Sequence, residues 1–309
     1  MNILVISSNL IGDTIMSTGI IDHFIKLYPD SKITIAAGPT SAPVFKNFPN
    51  IEKLLIVKKT KFSMHWIKIW QKCFLIKWDL IIDFRSSLIS FFLINKKRYI
   101  FKHKNIQKNQ VRQLSEFFKI SEVPHPIIYN SYLENEVSEK KLISNYTYVV
   151  IAPGGNWIPK IWPIEKYNNL MIRISSLNKK IKFVLIGSKK DRVLYKQKLI
   201  QDIATDDIID LFGRNITETY SFVKKCNLFV GNDSGMMHLS AAAKIFTIGL
   251  FGPTNDQLYA PFGKNCYTIR TKESYEYFNT KKINQLLCYM NSIEEEDVFN
   301  FILSKKILQ

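Results

Sequence analysis

The sequence predicts an α/β protein made of two Rossmann-like domains that face a central cleft. Three observations carry this expectation. The chain has 309 residues, too many for one comfortable core and suited to two domains of about 150 residues each. Short apolar runs alternate with longer amphipathic ones, the pattern of parallel strands joined by right-handed helical crossovers. The alternation lapses once, after Gln110, and then begins again.

In the first half, residues 3–7 read as a buried strand and 14–28 as a helix. Residues 32–37 form a strand that stops at Gly38-Pro39, followed by a strand at 54–57, a helix at 62–76 and a strand at 80–84. Residues 122–148 are mixed and polar and contain Pro124 and Pro126, so the linker is expected there and the domain boundary at 145/146. The second alternating run has strands at 148–152, 182–187, 228–231 and 246–251, with helices at 164–177, 192–203, 216–225 and 235–243. A helix at 298–307 closes the chain. In open sheets of this kind, ligands sit beyond the carboxyl ends of the strands.

The hydrophobic fraction of 46% argues against disorder. The chain opens Met1-Asn2-Ile3-Leu4-Val5-Ile6, with neither a basic stretch nor a small-residue cleavage site, so no secretory leader is expected. No run reaches the 18 or so apolar residues needed to cross a bilayer; the longest candidate is 88–94. Cys73, Cys226, Cys266 and Cys288 are scattered and form no CxxC pair, which disfavours a disulfide framework or zinc site and fits a reduced cytosolic setting. The net charge of +17 points either to an anionic partner (nucleic acid, anionic lipid or a phosphorylated substrate) or to a Lys-, Ile- and Asn-rich composition without selection for binding.

Four stretches at expected strand ends carry chemistry. The most informative is Val230-Gly231-Asn232-Asp233-Ser234-Gly235-Met236-Met237-His238, running from an apolar strand into an Ala-rich helix. Asp233 is expected to be the N-cap, with Ser234 and Gly235 offering free N–H groups to an anion. His238 lies four residues after Ser234 on the same helix face; it either reaches the same ligand or packs in the core. The second stretch, Ala152-Pro153-Gly154-Gly155-Asn156-Trp157-Ile158-Pro159-Lys160-Ile161-Trp162-Pro163, combines a tight glycine turn with a proline that opens the next helix. Lys160 either supplies positive charge to a diphosphate or is solvated. The third, Leu10-Ile11-Gly12-Asp13-Thr14, lacks the GxGxxG dinucleotide fingerprint; Asp13 either caps the helix or accepts a proton from an attacking hydroxyl. The fourth, Phe251-Gly252-Pro253-Thr254-Asn255, is by itself a turn signal.

Taken in order, these stretches resemble glycosyltransferase family 9, the ADP-heptose:lipopolysaccharide heptosyltransferases. The resemblance rests on Gly12-Asp13, on Pro153-Gly154 with Lys160-Ile161-Trp162-Pro163, and on Asp233-Ser234-Gly235-Met236-Met237-His238 followed by Ala241-Ala242-Ala243 and Phe251-Gly252-Pro253-Thr254. It spans nearly the whole chain, and the ordered combination is far more specific than any one motif. It implies a GT-B fold, with residues 1–145 holding the acceptor and 146–309 the nucleotide sugar, and an inverting transfer with no covalent intermediate. By the same resemblance Asp13 is the general base, Lys160 neutralises the leaving diphosphate, and Ser234 and Gly235 bind it through their N–H groups. Asp233 contacts the donor sugar and His238 sits beside the site. Gly12, Thr14 and Gly154 belong to the same motifs. Asp191, after the Gly187-Ser188 turn, either reaches the ribose or opens a helix. The chemistry agrees: negative charge grows on the departing diphosphate, and each preorganised donor there is typically worth about 2.7–4 kcal/mol.

The expected co-substrate is an ADP-sugar, with ADP-heptose first, and no further cofactor. No DxD pair stands at a strand end and Asp206-Asp207 lacks that spacing, so no obligatory metal is expected. The implied acceptor is a lipid-linked anionic saccharide at the inner face of the cytoplasmic membrane; nucleic acid is not an expected partner. Residues 62–74 mix aromatics with lysines, and on a helix Phe62, Trp66, Ile69, Trp70 and Cys73 share one side. That side either touches a membrane or packs on the sheet. The sequence departs from the family pattern at Gly19, where a proline is usual, and at Lys244 and Phe246, where a glycine and a proline are usual. Two rival readings share the fold: another nucleotide-sugar enzyme such as a 2-epimerase, and a non-catalytic nucleotide-binding protein.

Overall fold

The computed structural model describes residues 1–58, 60, 64–102, 105–199 and 203–308. The chain divides into two compact units, Met1–Tyr129 and Asn130–Gln309.

The first unit contains β1 (Asn2–Ile6), α1 (Ile11–Leu27), β2 (Lys32–Ala37), β3 (Ile51–Ile56), α2 (His65–Cys73), β4 (Trp78–Asp83), β5 (Asn95–Ile100) and α3 (Gln110–Phe117). Among the described residues its sheet is five-stranded and parallel throughout, in the order β3-β2-β1-β4-β5. The alternation of side chains along β1 shows why the sheet is covered on both faces. Ile3 and Val5 join one apolar cluster with Ile20, Phe24 and Leu114, while Leu4 and Ile6 join another with Ile69 and Cys73. Helix α1 is buried along most of its length, and a side chain at Gly19 would meet the Pro124 carbonyl oxygen at 2.6 Å. The residue departing from the family pattern is therefore the one that lets the 124–125 backbone lie directly on the helix.

The second unit contains α4 (Tyr132–Lys141), β6 (Thr147–Ala152), α5 (Ile164–Ser175), β7 (Ile181–Leu185), α6 (Lys189–Leu199), β8 (Ile208–Asp210), α7 (Ile216–Val223), β9 (Leu228–Asn232), α8 (Gly235–Ala242), β10 (Phe246–Phe251), α9 (Asp256–Tyr259), β11 (Cys266–Arg270), α10 (Tyr275–Asn279) and α11 (Glu295–Ser304). Its sheet, six-stranded among the described residues, is also parallel, in the order β11-β10-β9-β6-β7-β8. One core cluster gathers Val149, Ile151, Trp162, Tyr167, Leu170 and Ile302, so α5 and α11 cover the same face of the sheet.

The division falls earlier than the expected boundary at 145/146, and α4 belongs with the second unit. Thr217 Oγ1 donates to Glu134 at 2.7 Å, the Asn130 side-chain amide donates to the Thr217 carbonyl at 2.5 Å, and Lys225 pairs with Glu139 at 3.0 Å. These bonds tie α4 to α7 and to the turn that follows it.

Candidate functional site

In a doubly wound sheet the crevice opens where successive crossovers leave in opposite directions. In the second unit this point lies between β6 and β9, adjacent in the sheet but far apart in the chain. The glycine–lysine loop leaves β6 there, and the Asp-Ser-Gly turn leaves β9.

Asn232 locks these two loops together. It is fully buried. Its side-chain amide donates to the carbonyls of Pro153 (2.8 Å) and Gly154 (3.2 Å), and its Oδ1 accepts from the Trp162 N–H (2.9 Å) and the Tyr167 hydroxyl (3.1 Å). Trp162, also fully buried, donates its indole N–H to the Ile293 carbonyl at 3.0 Å. The Lys-x-Trp-Pro motif thus has an anchoring tryptophan, a proline at the mouth of α5, and a lysine two residues before the anchor, on a 3-10 turn spanning Ile158–Lys160. Sequence reading passed over Asn232; the signal available was an amide at the end of an otherwise apolar strand.

Asp233 is not the N-cap of α8. The extended residue before the helix is Ser234 (φ −154°, ψ 172°), and no side chain caps the helix start. The Asp233 N–H donates to the Leu250 carbonyl at 3.1 Å, and its carboxylate accepts from Lys160 Nζ at 3.1 Å. Both side chains of this ion pair are largely buried, 13% and 8% exposed. The carboxylate expected to cap the helix instead holds the lysine, because the β9–β10 register carries Asp233 into the sheet's ladder. The N–H groups of Ser234 and Gly235 donate to no group among the described residues, and the Ser234 hydroxyl is buried without a hydrogen-bond partner. A buried polar group left unpaired is costly, so a ligand with acceptor oxygens would relieve it. The helix start, its dipole and a cation therefore sit together, suited to phosphate oxygens.

His238 is buried one turn into α8. Burial lowers its pKa to about 4, opposed by the Asp233 charge and assisted by Lys160. Its imidazole is neutral at pH 7 and offers one donor and one acceptor rather than a charge.

Gly154 lies against Asp191: a side chain on the glycine would come within 2.2 Å of the aspartate's carboxyl carbon. Asp191 Oδ2 accepts from the N–H and hydroxyl of Ser188, both at 2.7 Å, and the Asp191 N–H donates to Ser188 Oγ at 3.1 Å. This reciprocal cap gives Asp191 the helix-opening role at α6.

In the first unit the corresponding switch point lies between β1 and β4. Asp13 stands there, half-buried, in the first turn of α1, whose N-cap position, Leu10, makes no side-chain cap. Asp13 Oδ2 accepts from the Ser8 hydroxyl at 3.1 Å, and Ser8 Oγ in turn accepts from the Leu10 N–H at 3.2 Å. Thr14 is fully buried; its hydroxyl lies 3.3 Å from Ser7 Oγ and 3.2 Å from the Ser8 carbonyl, so it shapes the loop from inside. Gly12 is half-buried beside Asp13.

In α2, His65, Ile69 and Cys73 are buried, Trp66 and Phe74 pack against the core, and Trp70 is partly exposed; Phe62 lies outside the described residues. Most of the aromatic face thus covers the sheet. Among the described residues no group of three His, Cys, Asp or Glu side chains is placed to hold a metal ion, and no helix is long and apolar enough to cross a membrane.

Residues 74–290 match the description of glycosyltransferase family 9 (heptosyltransferase). The lipooligosaccharide heptosyltransferase 2 of Haemophilus ducreyi is 26% identical over 313 residues, covering 87% of this chain and 88% of that protein. Two solved structures share the fold over essentially the whole chain. The family 9 glycosyltransferase from Veillonella parvula superposes with a TM-score of 0.77 at 19% identity, covering 99% of this chain and 97% of that one. The Escherichia coli heptosyltransferase WaaC with ADP gives 0.75 at 16% identity, covering 98% and 99%. These likenesses place the two doubly wound units in the GT-B class.

Proposed function

Because the chain belongs to glycosyltransferase family 9, we propose that it moves a heptose from ADP-heptose to a lipopolysaccharide acceptor, with the second unit binding the donor and the first the acceptor. The observation that carries this reading is the start of α8. The Ser234 and Gly235 N–H groups, the unpartnered Ser234 hydroxyl and Lys160, held by Asp233, form one hydrogen-bond-donating corner at the sheet's switch point.

In this reading the diphosphate accepts from Ser234 and Gly235, and Lys160 turns from Asp233 toward the leaving oxygen as negative charge builds there. Asp233, once partnerless, is available to hydroxyls of the donor sugar. Neutral His238 steadies the site without adding charge. Asp13 accepts the proton of the attacking acceptor hydroxyl, and the Ser8 hydroxyl keeps its carboxylate oriented. The acceptor oxygen bonds to the anomeric carbon as that carbon's bond to the diphosphate oxygen breaks, a single displacement that inverts the anomeric centre and releases ADP. The cation and the amides answer the diphosphate's charge directly, and we expect turnover to persist in the presence of a chelator. The family match favours transfer over the epimerase and the non-catalytic readings.

The lipid-linked acceptor brings the protein to the inner face of a membrane, and a surface of the first unit suits such contact. Leu75, Leu88, Phe91, Phe92 and Ile94 are each more than half exposed. Trp70 links α2 to the 88–92 turn by donating its indole N–H to the Phe92 carbonyl at 3.0 Å. Lys68, Lys72, Lys96 and Lys97 lie in the same segments, and Arg98 stacks on Phe91. Aromatics interleaved with cations are suited to an anionic headgroup layer.

Calorimetry with ADP, UDP and GDP, chelator present, tests the donor assignment. ADP should bind best, and Lys160→Met should weaken it at least tenfold; preference for UDP or GDP would overturn ADP-heptose as the donor.

A further inference from the structure

We propose that Arg85 is the residue that recognises an anionic group, carboxylate or phosphate, on the acceptor next to the hydroxyl that reacts. The proposal deepens the transferase reading and rests on it.

Arg85 follows β4, and Asp13 follows β1; the two strands pair directly, Ile6 opposite Asp83, and the first sheet reverses its order between them. Residues on both sides of such a point line the ligand crevice. The Arg85 backbone is fixed at both ends. Its N–H donates to the fully buried Asp83 at 2.8 Å, and the next residue, Ser86, is held at φ 52° with its hydroxyl donating to the Phe101 carbonyl at 2.7 Å. A left-handed serine is strained, and such strain clusters at ligand-binding and active sites.

The side chain is held as firmly. The guanidinium carbon lies 5.0 Å from the centre of the Trp66 ring, and Nη1 donates to Asn9 Oδ1 at 3.2 Å. Asn9 follows Ser8 in the loop that leads into α1, whose first turn carries Asp13, and is pressed against Gly38, where a side chain would come within 2.6 Å of Asn9 Oδ1. One bond therefore connects the arginine to the loop that leads into the helix bearing Asp13.

The guanidinium is half-buried, yet among the described residues no carboxylate forms an ion pair with it. Asp83 spends its oxygens on the Arg85 and Ser87 N–H groups and the Ser87 hydroxyl. Burial lowers the arginine's pKa, opposed by the charge of Asp83 two residues away, and the guanidinium stays charged. A partly desolvated cation with spare donors favours an oxyanion that can accept two of them. Lys58 after β3 and Lys102 after β5 add positive charge along the same edge of the sheet.

The test uses a deacylated lipopolysaccharide core oligosaccharide in three forms: native, carboxyl-methylated and dephosphorylated. Binding is read by calorimetry, transfer by ADP release, and folding by thermal melting, for wild type, Arg85→Gln and Arg85→Lys. Arg85→Gln should raise the acceptor Kd and KM at least tenfold, change kcat less than threefold, and leave ADP binding unchanged, with Arg85→Lys intermediate. One neutralised acceptor should bind wild type as weakly as the native acceptor binds Arg85→Gln, and that variant should be indifferent to the neutralisation. Which treatment does this identifies carboxylate or phosphate. Equal losses on native and neutralised acceptors would make Arg85 a support for its loop and overturn the proposal. Unchanged acceptor binding would also overturn it while leaving the transferase reading intact, since ADP binding and transfer report on that separately.

Discussion

His238 gives the site a pH signature of its own. Its pKa of about 4 in the folded chain lies below the unfolded value near 6.5. The unfolded chain therefore takes up a proton that the folded chain refuses between these values. Stability from this group is complete above pH 6.5, declines as pH falls toward 4, and is lost below that, by an amount on the order of 3 kcal/mol. Thermal melts across this range should show wild type losing more stability on acidification than His238→Gln; parallel curves for the two would refute a buried neutral imidazole. The residue scale is also where the sequence was least legible. The motif residues could be read because phosphate chemistry needs a glycine, a hydroxyl and a cation at helix starts. Asn232 and Arg85 could not, because their importance comes from what the strand order places beside them. Asp233 was misassigned for the same reason: its suitability as a cap is local, but its ion pair with Lys160 joins residues far apart in the chain.

At the scale of elements, Lys244 shows how a family departure is accommodated. It ends α8 with φ 63°, a left-handed conformation that costs a lysine what a glycine avoids. Lys244→Gly should raise stability by about 0.5–1 kcal/mol, seen as a higher denaturation midpoint; a lower midpoint would mean the lysine's other contacts outweigh its strain. The central strands β1, β2, β6, β9 and β10 were readable because burial on both faces leaves unbroken apolar runs. Strand β5 was not: Asn95-Lys96-Lys97-Arg98 forms a sheet edge, where lysines discourage pairing with other chains. Helix α4 carries a full capping box, Ser131 with Glu134, but follows two prolines in a polar stretch and read as linker. Its affiliation depends on bonds to α7 and Thr217, more than 80 positions away.

For the molecule as a whole, charge and exposed apolar surface combine into one prediction. With a net charge of +17 and with Leu88, Phe91 and Phe92 exposed on one turn, the protein should float with vesicles of phosphatidylcholine and phosphatidylglycerol but not with phosphatidylcholine alone, and less in high salt. Phe91→Ser with Phe92→Ser should abolish flotation and leave ADP binding unchanged. Binding that ignores these substitutions would place membrane contact elsewhere, and no binding would remove it. The two sheets carry different groups at their switch points: one holds the Asp13 carboxylate, the other an uncapped helix start beside Lys160. The most direct test of the roles proposed for these groups is Asp13→Asn, assayed for ADP binding by calorimetry and for sugar transfer by ADP release. Asp13→Asn should leave ADP affinity unchanged and lower kcat by about 10²–10⁴. Transfer at the wild-type rate would contradict Asp13 as the base.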